Sequence, residues 1–366
     1  MKKSPLTTSQ RIELLARACP ALFPRAALVR LVRDQLGHVE ALDRWIARDR
    51  VRVKARAPGL IHHICAGNLA ISAITSIAHG LLLGSRNSVK LPSPREDSTA
   101  RREIIAFVRG LPRALRDLVT FTDRRDGAAM ERADVIIAFG SDATMTALRA
   151  QVRGGQRFIA HGHAVSVLWL NDPSRLTARE ARACAVDVLT YDQLGCLSPQ
   201  AIYLPPGVDL ETLGGKLSRA LETEWQRQST KPSRPLSVRA RIAEARDVAH
   251  ALGHRVRLPA SRHLGWTLIH DPDPAFAPSP LHGVIYLRVS PPEKLEAHLA
   301  SVRGRISTVG VAGTTTATKW KNAFLDLGVS RFCPAGRMQF PPLSWHHEGR
   351  AVLGELVTWI DDETAR

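Results

Sequence analysis

Apolar positions recur at helical spacing near the start of the chain, at Ile12, Leu15 and Ala18 and again at Leu28, Leu31, Val32 and Leu36, with Pro20 and Pro24 between them. Positions three or four apart share one helix face and proline interrupts such a run, so residues 11–50 read as an N-terminal helical layer. From residue 60 the pattern changes. LIHHICAGN is a short apolar run ending in a polar turn, AISAITSIAHGLLLG has the length of a helix, and NSVKLPS is a second short run. Strand, helix, strand of this size predicts a βαβ unit. RREIIAFVRGL continues as a helix, LVTFT and DVIIAFG as strands, SDATMTALRAQV as a helix, and RFIAHGHAVSVLWL as one or two strands. After the helix TAREARACAVDVL at 177–189, the loop TYDQLGCLSP leads to the strand QAIYL and the helix DLETLGGKLSRALETE, where a second α/β half begins. Residues 225–240 (WQRQSTKPSRPLSVRA) read as the most loop-like interior stretch, and HGVIYLRVS, EKLEAHLASV and STVGVAG resume the rhythm. Alternation of this kind predicts the α/β class, parallel sheets covered by helices on both faces.

At 366 residues, with 44% apolar and 23% charged residues, the chain is long enough for two packed domains and ordinary in composition for a globular enzyme. The five cysteines (Cys19, Cys65, Cys184, Cys196, Cys333) are scattered and never spaced CxxC, which points away from a disulfide framework or zinc cage and towards reduced thiols in a cytosol. No window reads as a signal peptide or a membrane span, so neither export nor insertion is expected. A net charge of +17 raises nucleic acid as a partner. The arginines, however, are spread along the chain, and RRDG at 124–127 and RARIAEAR at 239–246 form no dense stripe. The milder expectation is a basic rim that attracts phosphate-bearing substrates such as coenzyme A, or an acidic carrier protein.

The sharpest candidate for chemistry is Gly195-Cys196, a cysteine in a turn-forming loop between helix and strand. Backbone N–H groups there can stabilise a thiolate, and the glycine lets a carbonyl approach; a buried structural thiol is the equal alternative. Asn68 follows one strand and Lys90 ends the next, the edge where α/β sheets bind ligands, although GxGxxG is absent. Taken by themselves, Asn68 reads first as a helix N-cap and Lys90 as a solvated charge. Gly140 and Ser141 lie between a strand and a helix and could face a cofactor or simply make a tight turn. His161 and His163 could move a proton near neutral pH or hold a strand-end turn. The pairs His62-His63 and His346-His347 cannot each supply two ligands to one metal, because neighbours on an extended chain point to opposite sides.

Taken together, these segments resemble the aldehyde dehydrogenase superfamily, and within it the fatty-acyl reductases of the bacterial luminescence kind. The resemblance covers most of the chain and rests on HICAGNLAISAITSIAHGLLLGSRNSVKLPS, ADVIIAFGSDATM, RFIAHGHAVSVLWL, DQLGCLSPQAIY and GVSRFCPAGRMQFPPLSWHHEGR in collinear order. It implies an aldehyde-dehydrogenase-like pair of α/β domains: a cofactor domain over 1–167 joined by 342–366, and a catalytic domain over 168–341. It implies Cys196 as nucleophile, the Asn68 side chain and the Cys196 N–H as oxyanion donors, and Lys90 as a cofactor ribose contact. Gly140 and Ser141 would lie against the cofactor, with His163 a candidate for proton transfer. The implied activity is reduction of a fatty acyl thioester, acyl-CoA or a carrier- or synthetase-bound acyl group, to an aldehyde. Homo-oligomers are a further implication.

Two departures refine this. Hydrolytic members carry a glutamate upstream of the cysteine to activate water, and here that region reads HGHAVS, with no acid; lacking that base favours passing the acyl group to hydride. The Glu-x-Phe-Gly-Pro motif that anchors the nicotinamide ribose has no clear counterpart around PSPLHGVIYL. Where NAD-preferring relatives place an acid after the lysine, this chain has Ser93, with Arg86 and Arg95 nearby to accept a 2′-phosphate and Glu96 opposing them. NADPH is therefore expected over NADH. The rival readings are an aldehyde dehydrogenase that oxidises its substrate and, on charge alone, a nucleic-acid-binding α/β protein.

Overall fold

The computed structural model describes residues 5–93, 99–122, 127–313 and 319–364, and the chain divides into two compact units, Met1–His163 with Pro342–Arg366, and Ala164–Pro341. The first unit opens with α1 (Thr8–Ala18) and α2 (Arg25–Leu36). Thr7 and Gln10 close a reciprocal capping box on α1. Residues 46–50 depart from the helical layer expected over 11–50: a short strand, β1 (Ile46–Arg48), forms there and β2 (Val51–Arg56) follows it. These pair antiparallel with each other, and β2 pairs with the C-terminal strand Thr358–Asp362. Alternate burial along β2 and the valines within it fit a half-buried strand better than a helix.

The elements that follow are β3 (Leu60–Ile64), α3 (Ala70–Leu83), β4 (Arg86–Lys90), α4 (Thr99–Gly110), α5 (Arg113–Arg116) and β5 (Val119–Thr122). After them come α6 (Gly127–Arg132), β6 (Val135–Phe139), α7 (Asp142–Arg149) and β7 (Arg157–His161). The five strands β3 to β7 form one parallel sheet in the order β5-β4-β3-β6-β7. The chain reverses direction across the sheet between β3 and β6. A parallel sheet opens a crevice at such a point, outside the carboxyl ends of the strands. Its core is built from α3, whose Ile77, Ala78 and Leu81 are fully buried, together with Ile61, Val89 and Ile104. His62 and His63 are both buried in β3 yet have separate partners: His62 meets Ser88, and His63 lies between Ser76 and Asn87.

The second unit runs β8 (Val165–Leu170), α8 (Ala178–Leu189), β9 (Pro199–Leu204), α9 (Leu210–Arg227) and α10 (Leu236–Ala251). It continues with β10 (Arg255–Arg257), β11 (Thr267–His270), β12 (Val284–Val289), α11 (Leu295–His298), β13 (Ile306–Ala312), α12 (Lys319–Asp326) and β14 (Arg331–Pro334). Its seven-stranded sheet has the order β10-β11-β12-β9-β8-β13-β14, parallel except for β10. The loop expected over 225–240 is shorter than its composition suggests. Trp225–Arg227 finish α9 and Leu236–Ala240 begin α10, so only 228–235, which holds Pro232 and Pro235, connects the helices. Pro235 sits immediately before α10, where a missing N–H costs nothing.

Candidate active site

In the second unit the parallel strands bring together the loops that precede them. Cys196 lies in the segment between α8 and β9, partly exposed, and its carbonyl accepts a 2.7 Å hydrogen bond from the buried Ser166 hydroxyl at the start of β8. Ser166 Oγ in turn accepts from the Thr308 N–H of β13 at 3.2 Å. The Ser198 N–H closes a turn onto the Gly195 carbonyl at 2.9 Å, and the Gln339 side chain donates to Ser198 Oγ at 2.8 Å. Gln339 belongs to a loop gathered by the buried Asp187 of α8, whose carboxylate accepts from the Gly336 and Met338 N–H groups at 2.5 and 3.0 Å. Burial pushes the Asp187 carboxyl up to about 7 against the pull of those two bonds. Three of the other cysteines, Cys65, Cys184 and Cys333, are buried, whereas Cys19 is partly exposed like Cys196. Cys196 is thus a partly exposed cysteine on a loop whose backbone is bonded to Ser166 of β8.

In the first unit the expected ligand residues gather at the carboxyl ends of the sheet. Asn68 is exposed in the turn after β3, and Lys90 is the last residue of β4. Asn68 is not the N-cap of α3; that position falls to Leu69, which supplies no side-chain cap. A 14-residue helix therefore begins beside the reversal point with an N-cap residue that contributes no side-chain hydrogen bond, and a helix N-terminus at such a point suits an anion. Gly140 and Ser141 follow β6 across the reversal point, but the Ser141 hydroxyl caps α7 by accepting from the Thr144 N–H at 3.2 Å. Ser93 is exposed three residues beyond Lys90. Arg86 does not accompany it. It begins β4 while Lys90 ends it, which separates the two by roughly 13 Å at about 3.3 Å per residue, so Arg86 is withdrawn from the phosphate-binding set. Arg95 and Glu96 lie outside the described residues. Sequence reasoning overlooked Arg101 of α4, which is half-buried and donates to the Pro92 carbonyl at 3.0 Å, beside Ser93.

His163 is exposed, and its N–H is fixed by Asp142 Oδ1 at 2.9 Å. His161 points elsewhere, into a stack: its ring lies 4.7 Å from Phe139 and 4.3 Å from His347, both at 13°, and His347 stacks on Trp345. His346 is exposed while His347 turns inward, the alternation expected of neighbours on an extended segment. Burial pushes His347 down to about 3, and His161 Nδ1 meets Glu348 Oε2 at 3.2 Å. His161, His347 and Glu348 place their ligand atoms within 4.8 Å of one another. A metal lies close to the plane of each imidazole that binds it, and two parallel stacked rings offer no such shared point. Arg350 also holds Glu348 Oε2 at 2.9 Å. The group is a hydrogen-bonded stack that ties the C-terminal segment to β7.

Residues 2–359 match the acyl-CoA reductase (LuxC) family. The chain belongs to that family. Among curated members, the long-chain acyl-protein thioester reductase of Aliivibrio fischeri is 23% identical over 355 residues, covering 93% of this chain and 72% of the relative. That of Photorhabdus laumondii is 24% identical over 352 residues, with the same coverage. Solved aldehyde dehydrogenases share the fold. An NAD-dependent enzyme from Sinorhizobium meliloti superposes with a TM-score of 0.70 at 14% identity, covering 98% of this chain and 82% of the other. The P. syringae indole-3-acetaldehyde dehydrogenase solved with NAD+ and IAA gives 0.68 at 12% identity, with 98% and 84% covered. This acyl-CoA reductase family member is therefore an oxidoreductase of the aldehyde dehydrogenase fold, as the collinear motifs implied. No helix among the described residues is long and apolar enough to cross a membrane.

Proposed function

We propose that this chain reduces a long-chain fatty acyl thioester to its aldehyde with NADPH, through an acyl-enzyme on Cys196. The observation that carries the proposal is the partly exposed Cys196 on a loop bonded to β8 and to the 336–339 segment. The Cys196 thiolate attacks the thioester carbonyl, its Sγ–C bond forms, the bond to the donor sulfur breaks, and the departing thiolate takes a proton. Nicotinamide supplies a hydride when bound. After reduction a proton reaches the former carbonyl oxygen, then returns as the C–Sγ bond breaks and the aldehyde leaves. Asn68 and the Cys196 N–H are assigned to the oxyanion and His163 to the proton. No acid occupies HGHAVS, so the reading includes no base for hydrolysis of the acyl-enzyme.

The first unit suits a dinucleotide by the chemistry of its donors: the N-terminus of α3 for pyrophosphate, Lys90 for a ribose, and Gly140 and Ser141 across the reversal point. Preference for NADPH rests on Ser93 in place of an acid, with Arg101 beside it. Acyl-CoA is the donor in this proposal. The names of the curated relatives favour a protein-bound acyl group as the alternative, and five free thiols favour a cytosolic setting.

Incubation with palmitoyl-CoA and NADPH should consume NADPH and release hexadecanal. Without NADPH, intact-mass spectrometry should show one acyl group, lost in Cys196→Ala. An acylated or active Cys196→Ala enzyme refutes the proposal.

A further inference from the structure

Two stretches of the second unit leave the right-handed region of the backbone together. Tyr191, Asp192 and Gln193 have φ of 55°, 53° and 61°, and Leu281, His282 and Gly283 have φ of 68°, 57° and 82°. Non-glycine residues enter this region singly, at a cost of roughly 1–3 kcal/mol each. Two consecutive runs, one immediately before the Cys196 loop, need something to hold them. They are neighbours because they lead into β9 and β12, adjacent parallel strands.

Side chains then tie one run to the other. His282 Nδ1 donates to Asp192 Oδ2 at 2.5 Å. The Gly283 N–H donates to Gln193 Oε1 at 2.9 Å, while Gln193 Nε2 donates to the Pro199 and Val284 carbonyls at 2.7 and 3.0 Å. Gln193 is fully buried, and its amide bonds on both sides. Arg234 pairs with Asp192 and also donates to the Leu264 and Gly265 carbonyls. Gly283 is confined as well: a Cβ there would lie 2.4 Å from the Gly265 carbonyl oxygen. Burial opposes ionisation of Asp192, yet the bonds from His282 and Arg234 outweigh it and hold its carboxyl below the usual range.

We propose that Asp192 and Gln193 are positioning residues for the nucleophile: their side chains lock the 191–193 run to the 281–283 run, and the lock fixes the backbone that presents Cys196. This rests on the role proposed for Cys196. Neither residue takes part in bond making; each acts through the loop.

The test uses the full chain with Asp192→Ala, Gln193→Ala and the milder Asp192→Asn. Three rates are followed: acylation of Cys196 by palmitoyl-CoA, its alkylation by iodoacetamide, and amide exchange over 194–198. Displacing a reacting group by about 1 Å costs on the order of 10²-fold, so both alanine variants should acylate that much more slowly. Exchange over 194–198 should rise while β9 and β12 stay protected, and alkylation of Cys196 should not slow. Asp192→Asn keeps an acceptor for His282 and should recover part of the rate. Cys184 and Cys333, buried in the same unit, report general unfolding if they become alkylated. Acylation at the wild-type rate, with or without a lower Tm, overturns the proposal. So does alkylation that falls in step with acylation, which would place the effect on thiol reactivity. If the wild type is not acylated at all, the reductase reading fails and the lock is judged by exchange over 194–198, where no change in either alanine variant refutes it.

Discussion

Acidification from pH 7 to pH 5 should loosen the first unit while leaving the second largely intact. His63 is fully buried between Ser76 Oγ and Asn87 Oδ1, each at 2.9 Å, and burial pushes it down to about 4. His79 is buried, Nε2 has no hydrogen-bond partner among the described residues, and burial likewise pushes it down to about 4. The unfolded chain takes a proton on each near 6.5, while the folded chain refuses it until about 4. The folded values lie below the unfolded ones, so this stability is present above neutrality, is lost as pH falls through 6.5, and levels off below about 4. At pH 5 each histidine withdraws about 2 kcal/mol, or about 4 kcal/mol for the pair. His347, pushed down to about 3, acts in the same direction.

Asp187 of the second unit has the opposite sign. Its folded value of about 7 lies above the unfolded 3.8, so stability falls as pH rises between those values. Going from pH 7 to pH 5 returns about 2 kcal/mol. His270 and His298, both lowered by burial, offset part of that gain. Peptide-resolved amide exchange at the two pH values, corrected for intrinsic rates, reads each unit separately. Protection in β3 and β4 should fall by roughly 10²–10³-fold, taking about 1.4 kcal/mol per tenfold, while β9 and β13 change far less. Undiminished protection of β3 and β4 at pH 5 would refute the reasoning, as would an equal loss in both units.

Three further outcomes are expected. Gly80→Ala should destabilise the first unit by about 1–3 kcal/mol in thermal or denaturant unfolding, despite the better helix propensity of alanine, because its Cβ would meet Asn87 Oδ1 at 1.9 Å and Asn87 is held by His63 and the Ser85 carbonyl. Arg101→Ala should raise the KM for NADPH about tenfold, one lost charge-assisted contact, while leaving the KM for NADH unchanged; equal effects on both would remove Arg101 from the 2′-phosphate site. Asp187→Asn should abolish the stabilisation of the second unit on acidification from pH 7 to pH 5, read as Tm against pH.

The alternation of short apolar runs with helical stretches was enough to predict parallel α/β sheets, because burial on both faces writes itself into a strand as a continuous apolar run. Collinear motifs singled out Cys196, Asn68, Lys90, Gly140 and Ser141, since residue types at loop positions survive as local pattern. Strand direction was not local in that sense. Only the paired sheet shows that Arg86 and Lys90 occupy opposite ends of β4, and that Arg101 comes in from another helix. Residues 225–240 misled for a related reason: prolines and polar residues look alike in a loop and at a helix start, and tertiary contacts along α10 decide between them. The left-handed runs at 191–193 and 281–283 are the clearest case. Neither TYDQ nor LHG announces its conformation, because what holds it is bonding between segments 90 residues apart, brought side by side by the adjacency of β9 and β12.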